Sequence, residues 1–430
     1  MNIIKYPSRD RWEDLTRRAA IDFTLLHETV RIVLDKVRRG GDEAIRRCGE
    51  DFDKVRIGTL RIGREELAES SELLSDKEKD ALRVAAENIR AFHAAQRFNE
   101  ITVETMPGVV CRQKAVPIEK VGLYVPGGTA PLCSTVLMLA VPASLAGCRE
   151  VVLCTPPDTT GKVHPAILFA AELSGVRTIC KVGGIQAIAA MAYGTESIPK
   201  VYKIFGPGNR YVTAAKQLIS IADTAIDMPA GPSEVEVLAD SSANPVFIAA
   251  DLLSQAEHGV DSQSLLVTTD EALIPAVLRC LDEQLSRLPR REFAAQALAH
   301  SRIVLFRDEN EAVDFTNAYA PEHLIIQTVN YKALADRILN AGSVFLGSFT
   351  PESVGDYASG VNHTLPTRGY ARAYSGVNLD SFMKKITFQE ITPEGLIRLA
   401  PTLCTLATCE QLEGHRAAVT CRTDNFTELI

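Results

Sequence analysis

Gln255 and His258 stand three residues apart at the end of the stretch 245–257, just ahead of Gly259. On a helix that spacing puts an amide oxygen and an imidazole on one face, where they could seed a metal site. The other reading is a solvated helix end whose histidine interacts with the dipole. Pro321-Glu322-His323 runs directly into the apolar Leu324-Ile325-Ile326. A carboxyl group and an imidazole, with ordinary pKa values of about 4.3 and about 6.5, could divide proton-transfer work between them. Neighbours along a strand face opposite sides, so one shared site requires a bend, which Pro321 favours; otherwise this is a polar loop before a strand. The segment 353–363 reads as a loop with Asp356 and His363 seven apart, and Glu410 and His415 stand five apart near the C-terminus. Each pair alone says little. Together they matter, because four of only eight histidines (258, 323, 363 and 415) lie beside carboxylates or amides in polar segments.

Gly206-Pro207-Gly208-Asn209 follows a strand-like run and opens a helical one, as a turn approaching an anion would, or simply as a tight turn. Tyr211 fills the third glycine position of G-x-G-x-x-G, and no G-x-x-x-x-G-K-S/T exists, so neither standard nucleotide-binding loop is present.

The elements that must hold these residues read as follows. The first hundred residues are mainly helical: Ser75 and Glu78 form a capping-box start to a long amphipathic stretch, and Gly40-Gly41 separates two helical patterns. Near residue 120 the texture changes. Strand-like runs at 121–125, 151–154, 177–182 and 201–205 alternate with helical stretches, punctuated by Pro126-Gly127-Gly128, Gly183-Gly184 and Gly206-Pro207-Gly208. After Asp227 a second alternation follows, with strands at 235–238, 265–268, 302–306, 324–327 and 344–346. Asn244 and Pro245 start the helix between its first two strands. Such alternation indicates parallel sheets covered by helices, with a cleft between two units where ligands of open sheets bind. The last fifty residues return to helix.

Composition narrows the class. The chain has 430 residues, 46% hydrophobic and 23% charged, with a formal net charge of −8. That is material for two to four soluble domains, without the clustered Lys and Arg that phosphate backbones require. No run of 18 apolar residues exists, and Met1-Asn2-Ile3-Ile4-Lys5-Tyr6-Pro7 is no signal peptide, so a cytoplasmic protein is expected. The ten cysteines never occur as C-x-x-C, which excludes a cysteine-rich zinc cluster and leaves most of them as small buried hydrophobes.

Taken together, VGLYVPGGTAPLCSTVLMLAVPA (121–143), KIFGPGNRYVTAAK (203–216), DMPAGPSEV (227–235), DLLSQAEHG (251–259), APEHLIIQT (320–328) and AGSVFLGSFTPESVGDYASGVNHTLPT (341–367) resemble the histidinol dehydrogenase family. The resemblance covers nearly the whole chain. It implies an α/β fold of two incomplete Rossmann-like parallel-sheet domains with helical N- and C-terminal extensions. The expected organisation is an N-terminal helical extension (1–20), a discontinuous α/β domain with the zinc and catalytic residues (21–123 and 233–377), an inserted NAD-side α/β domain (124–232) and a helical tail (378–430).

The same resemblance implies one zinc per subunit held by Gln255, His258, Asp356 and His415, with His415 and Glu410 reaching the partner's site in a homodimer. It implies Glu322 and His323 as the catalytic pair, NAD contacts at Tyr124, Gln186 and Asn209, and substrate contacts at Ser233, Gln255, His258, His323, Asp356, His363, Glu410 and His415. The activity implied is NAD-dependent oxidation of histidinol to histidine through histidinal, with His323 as base and Glu322 activating water. A covalent variant would trap the aldehyde on Cys111 or Cys148. A paralogue oxidising another amino alcohol, a zinc hydrolase using a metal-bound water, and a non-catalytic binding protein are the competing readings.

Overall fold

The computed structural model describes residues 1–18, 23–127, 130–221 and 223–424. Gly128 and Thr129 of the 121–143 block, the expected junction at residue 20 and the end of the tail lie outside the described residues. The chain opens on β1 (Asn2–Lys5) and, after several helices, continues with β2 (Ile101–Met106), β3 (Val109–Pro117) and β4 (Lys120–Tyr124). Helices then alternate with β5 (Glu150–Thr155), β6 (Thr178–Lys181), β7 (Lys203–Phe205) and the short β8 (Ala225–Ile226). A second alternation carries β9 (Glu234–Ala239), β10 (Gln263–Thr268), β11 (Arg302–Leu305), β12 (His323–Gln327) and β13 (Ser343–Leu346). The last strand is β14 (Met383–Ile391).

Two compact units result: Met1–Gln96 with Ile118–Phe382, and Arg97–Pro117 with Met383–Ile430. The first holds two parallel sheets, ordered β1-β11-β10-β9-β12-β13 and β6-β5-β4-β7-β8. Strands buried on both faces need apolar side chains on both. In the six-stranded sheet Val235, Val237 and Ile325 pack to one side while Leu238, Leu324 and Ile326 pack to the other. In both sheets the chain winds outward one way and then returns to the other side of the starting strand, so β4|β7 and β9|β12 are switch points. These two parallel sheets with their helical layers bear out the expected fold class.

Helices begin where the sequence places caps. Ser75 and Glu78 form a reciprocal capping box before the helix Asp76–Ala94, and Asn244 accepts from the Val246 N–H ahead of Pro245–Ala256. The helical extensions are not wholly helical. Asn2–Lys5 form an edge strand on β11, and β14 opens the C-terminal region. The second unit contains an antiparallel sheet, β14-β3-β2, followed by the helices Pro393–Cys409 and Glu413–Thr423. Its hairpin turns at Pro107-Gly108, where Gly108 has φ +84. A proline then a residue of positive φ between two alternating runs is a hairpin signal, in a stretch for which the sequence reading names no element.

Candidate active site

Every expected catalytic and metal residue of the first unit gathers at the amino end of β9 and β12, not at the carboxyl ends where open parallel sheets usually bind ligands. His323 is the first residue of β12, in register with Val235 of β9. Glu322 lies just before the strand, so it escapes the alternation that would turn it away; the preceding Ala320 has φ +53 and bends the chain. Both side chains are anchored on one residue of β9. The Glu234 N–H donates to Glu322 Oε2 at 2.8 Å, and the Glu234 carbonyl accepts from His323 Nδ1 at 3.1 Å. The two side chains approach to 3.7 Å.

Helix Pro245–Ala256 runs back alongside the sheet and delivers Gln255 to the same end. His258 lies two residues beyond the helix, in a turn held by its N–H to the Gln255 carbonyl at 3.2 Å. The first part of the segment expected as a loop, 353–357, belongs to the short helix Glu352–Tyr357, which puts Glu352 and Asp356, four apart, on one face, while 358–363 is non-helical. Ligating atoms of His258, Glu352 and Asp356 all lie within 4.8 Å of one another. Glu352 Oε1 is 3.6 Å from His323 Nδ1, and Asp356 Oδ1 is 3.5 Å from His323 Nε2.

Electrostatics follow from packing these acids out of water. Burial pushes Glu322 up to about 8, against the pull of His323 and the Glu234 N–H. Burial likewise pushes Glu352 to about 8 and Asp251, hydrogen-bonded by Gln327, to about 7. For His323 burial works against the charged form, but Glu352, Glu322 and Asp356 together outweigh it and hold the imidazole well above its ordinary value. Asp356 is held below the usual carboxylate range: burial opposes this, and His323 overcomes it. A divalent cation suits this site. Its donors are nitrogen and oxygen, and both polar atoms of the buried Gln255 amide lack a hydrogen-bond partner among the described residues.

His363 has both nitrogens engaged. Nδ1 donates to the Asp356 carbonyl at 2.8 Å, and Nε2 lies 3.0 Å from the Thr135 hydroxyl, which must donate to it. Desolvation keeps this imidazole below its ordinary value. Thr135 belongs to the helix Cys133–Ala146 that follows β4, so the contact ties the layer over the five-stranded sheet to the acid cluster.

The expected NAD residues cluster at the switch point of the five-stranded sheet. Tyr124 ends β4, and its hydroxyl accepts the Gly184 N–H at 3.1 Å; burial pushes it to about 12. Gln186, also buried, donates to Asp53 Oδ2 at 3.0 Å. Asn209 is exposed and caps the helix Arg210–Ser220 through the Tyr211 and Val212 N–H groups. The intervening Gly206 has φ +123, and a Cβ there would meet the Tyr124 carbonyl oxygen at 2.0 Å, so only glycine fits. Its N–H donates to Asp227, itself paired with Lys216 Nζ at 2.5 Å.

Ser233 is half-buried next to Glu234, while Glu410 and His415 belong to the second unit and are exposed there. The cysteine alternative fares poorly. Burial pushes the Cys148 thiol to about 12, far from a thiolate, and Cys111 lies in β3 of the second unit.

A family model described as histidinol dehydrogenase matches residues 16–423. The chain belongs to the histidinol dehydrogenase family. A histidinol dehydrogenase from Bacteroides thetaiotaomicron is 63% identical over 422 residues, covering 98% of this chain and 99% of its own. One from Escherichia coli (strain K12) is 53% identical over 402 residues, 93% of this chain and 92% of its own. The crystal structure of histidinol dehydrogenase from Elizabethkingia anophelis superposes with a TM-score of 0.96 at 49% identity, covering 99% of both chains. Membership in the histidinol dehydrogenase family makes the protein an oxidoreductase. The anchoring residue Glu234, with Glu352, Asp251 and Asp53, went unnoticed in the sequence. The signal available for the first was two acids in the otherwise apolar strand Glu234–Ala239, because buried carboxylates need partners.

Proposed function

We propose that the protein oxidises L-histidinol to L-histidine in two successive NAD-dependent steps through histidinal, the last steps of histidine biosynthesis. The observation that carries this reading is the anchoring of Glu322 and His323 on one β9 residue, beside the acid and imidazole cluster around Asp356. Gln255, His258 and Asp356 would hold zinc, completed by His415 of the partner subunit. Tyr124, Gln186 and Asn209 would hold the dinucleotide. When bound, NAD⁺ accepts a hydride in each step and zinc supplies a Lewis acid for the substrate's nitrogens.

His323 keeps its Nδ1 proton on the Glu234 carbonyl, so in the neutral imidazole Nε2 is the atom that takes the alcohol proton in the first oxidation. Glu322, pushed to about 8, is poised near neutrality to remove a proton from the water that attacks the aldehyde carbon. His323 gives the proton it took from the alcohol to the aldehyde oxygen as the diol forms, so it is free to take a diol proton as the second oxidation yields the carboxylic acid, which then ionises. Ser233, His363 and, from the partner subunit, Glu410 contact the substrate, with His363 also fixing the Asp356 peptide.

The assembly in this reading is a homodimer. In support, the second unit exposes Ile101, Val103, Ile386, Phe388, Ile397 and Leu406. A cytoplasmic location accords with Cys154 and Cys180, which sit opposite each other on β5 and β6 as free thiols. Among the described residues no helix is long and apolar enough to cross a membrane.

The direct test is to supply the zinc-loaded protein with L-histidinol and NAD⁺ and to count NADH and histidine together. Two NADH per histidine is expected. No NADH from protein with its zinc intact would overturn the reading.

A further inference from the structure

The catalytic pair proposed above hangs on the backbone of Glu234, which raises the question of what holds Glu234. It opens β9, opposite Gln263 of β10, and its side chain is buried. Its carboxylate is gripped at both oxygens. Arg18 Nε donates to Oε1 at 3.0 Å and Arg18 Nη2 to Oε2 at 2.7 Å, while the Arg368 N–H donates to Oε1 at 2.8 Å. The Arg18 guanidinium lies 3.6 Å from the centroid of the Tyr319 ring, and Nη1 donates to the Thr16 carbonyl at 2.8 Å. Tyr319 in turn donates through its hydroxyl to Gln263 Oε1 at 3.2 Å, closing the set on the residue opposite Glu234. Both ends of the ion pair are almost wholly buried, with side-chain exposures of 8% and 2%.

A guanidinium that grips a carboxylate in a two-point fork fixes its plane as well as its distance. Here that plane is linked through one short side chain to the N–H that holds Glu322 and the C=O that holds His323. We propose that Arg18, acting through Glu234, is a positioning residue for both members of the Glu322–His323 pair, so that the segment preceding the first long helix belongs to the catalytic apparatus. The proposal rests on the reading of Glu322 and His323 as the reacting groups. It assigns Arg18 no contact with substrate.

The test compares Arg18→Ala, Arg18→Lys and the double variant Arg18→Met/Glu234→Leu in the zinc-loaded protein. The double variant matters because removing both charges leaves no buried charge uncompensated, so the fold is retained. For each, kcat and KM are measured with histidinol and with histidinal, alongside bound zinc and Tm. A small displacement of reacting groups can lower turnover by about a hundredfold. Accordingly kcat for both oxidations is expected to fall about ten- to a hundredfold in Arg18→Ala, with KM for NAD⁺ and zinc content unchanged. Added guanidinium or methylguanidinium restores part of that kcat, and Arg18→Lys recovers little because it lacks the fork. A double variant as stable as the parent with kcat within about twofold would overturn the proposal. So would an Arg18→Ala loss that merely follows Tm and ignores guanidinium. His323→Gln separates the two levels. Turnover kept there removes the catalytic reading and this proposal with it; turnover lost there but kept in the double variant removes the clamp alone.

Discussion

His323 Nδ1 lies 3.1 Å from the main-chain oxygen of Glu234. A carbonyl only accepts, so this contact keeps a proton on Nδ1, and when the imidazole is neutral Nε2 is the nitrogen with a lone pair. The same residue's N–H holds Glu322, so the tautomer of neutral His323 and the position of the Glu322 carboxyl are set together.

Glu352 is the acid whose effect on His323 is easiest to isolate. It lies 3.6 Å from Nδ1 and, after the opposing effect of burial, heads the carboxylates that raise the imidazole's pKa. Glu352→Gln removes that charge, so the His323 pKa falls and the neutral base persists to lower pH. The acidic limb of the kcat/KM profile is expected to move to lower pH, read from a pH series on both proteins. A limb that moves to higher pH contradicts the assignment.

Lys216 and Asp227 form a buried pair with side-chain exposures of 5% and 1%, and Asp227 also holds the Gly206 N–H. Lys216→Met strands a buried carboxylate, at a cost of about 3–5 kcal/mol in urea unfolding. Because the 206–209 turn loses its anchor, KM for NAD⁺ is expected to rise as well. A stability loss with unchanged KM would detach this turn from the dinucleotide site.

Glu236 is raised from 4.5 to about 8, chiefly by burial, with Thr316 and Arg18 pulling the other way. A carboxyl group whose folded pKa is raised binds more protons folded than unfolded between the two values. Its contribution to stability is therefore present at low pH and lost as pH climbs from the unfolded pKa of about 4.3 towards about 8. Glu236→Gln is expected to flatten the fall in stability across that window by a few kcal/mol, on the order of magnitude the shift implies. Unfolding midpoints of the two proteins that decline in parallel would contradict it.

The cross-subunit role of His415 is tested by mixing inactive His415→Asn and His323→Gln proteins after dissociation. Random reassociation makes about half the dimers hybrid, each with one of two sites complete, so about a quarter of the parent activity returns. No return, with hybrids demonstrated, would place His415 in its own subunit's site.

Much of this was legible in the residues. The helix starts at Ser75 and Asn244 and the alternating strands follow from patterns a reader can see, while the grouping of Gln255, His258, Glu322, His323 and Asp356 is what the resemblance implies and spacing alone does not give. Two things resisted. Exposed and half-exposed strands such as β2, β3 and β14 carry weak periodicity, so the stretch 101–117 raises no strand expectation and β14 falls in a stretch that reads as helix. The other is the supporting layer. Glu234, Glu352 and Arg18 act through tertiary contacts spanning as many as 216 residues, and no local spacing announces those. Glu352 stands just before the segment read as loop, and only the helix Glu352–Tyr357 puts it on the same face as Asp356.

The central claim is that Glu322 and His323 divide the chemistry between water activation and proton abstraction. Comparing Glu322→Gln with the parent, on histidinol oxidation to the aldehyde and on oxidation of supplied histidinal, tests it most directly. The account predicts that aldehyde oxidation falls by about 10²–10⁴-fold while alcohol oxidation changes far less. Equal losses in the two steps would contradict it.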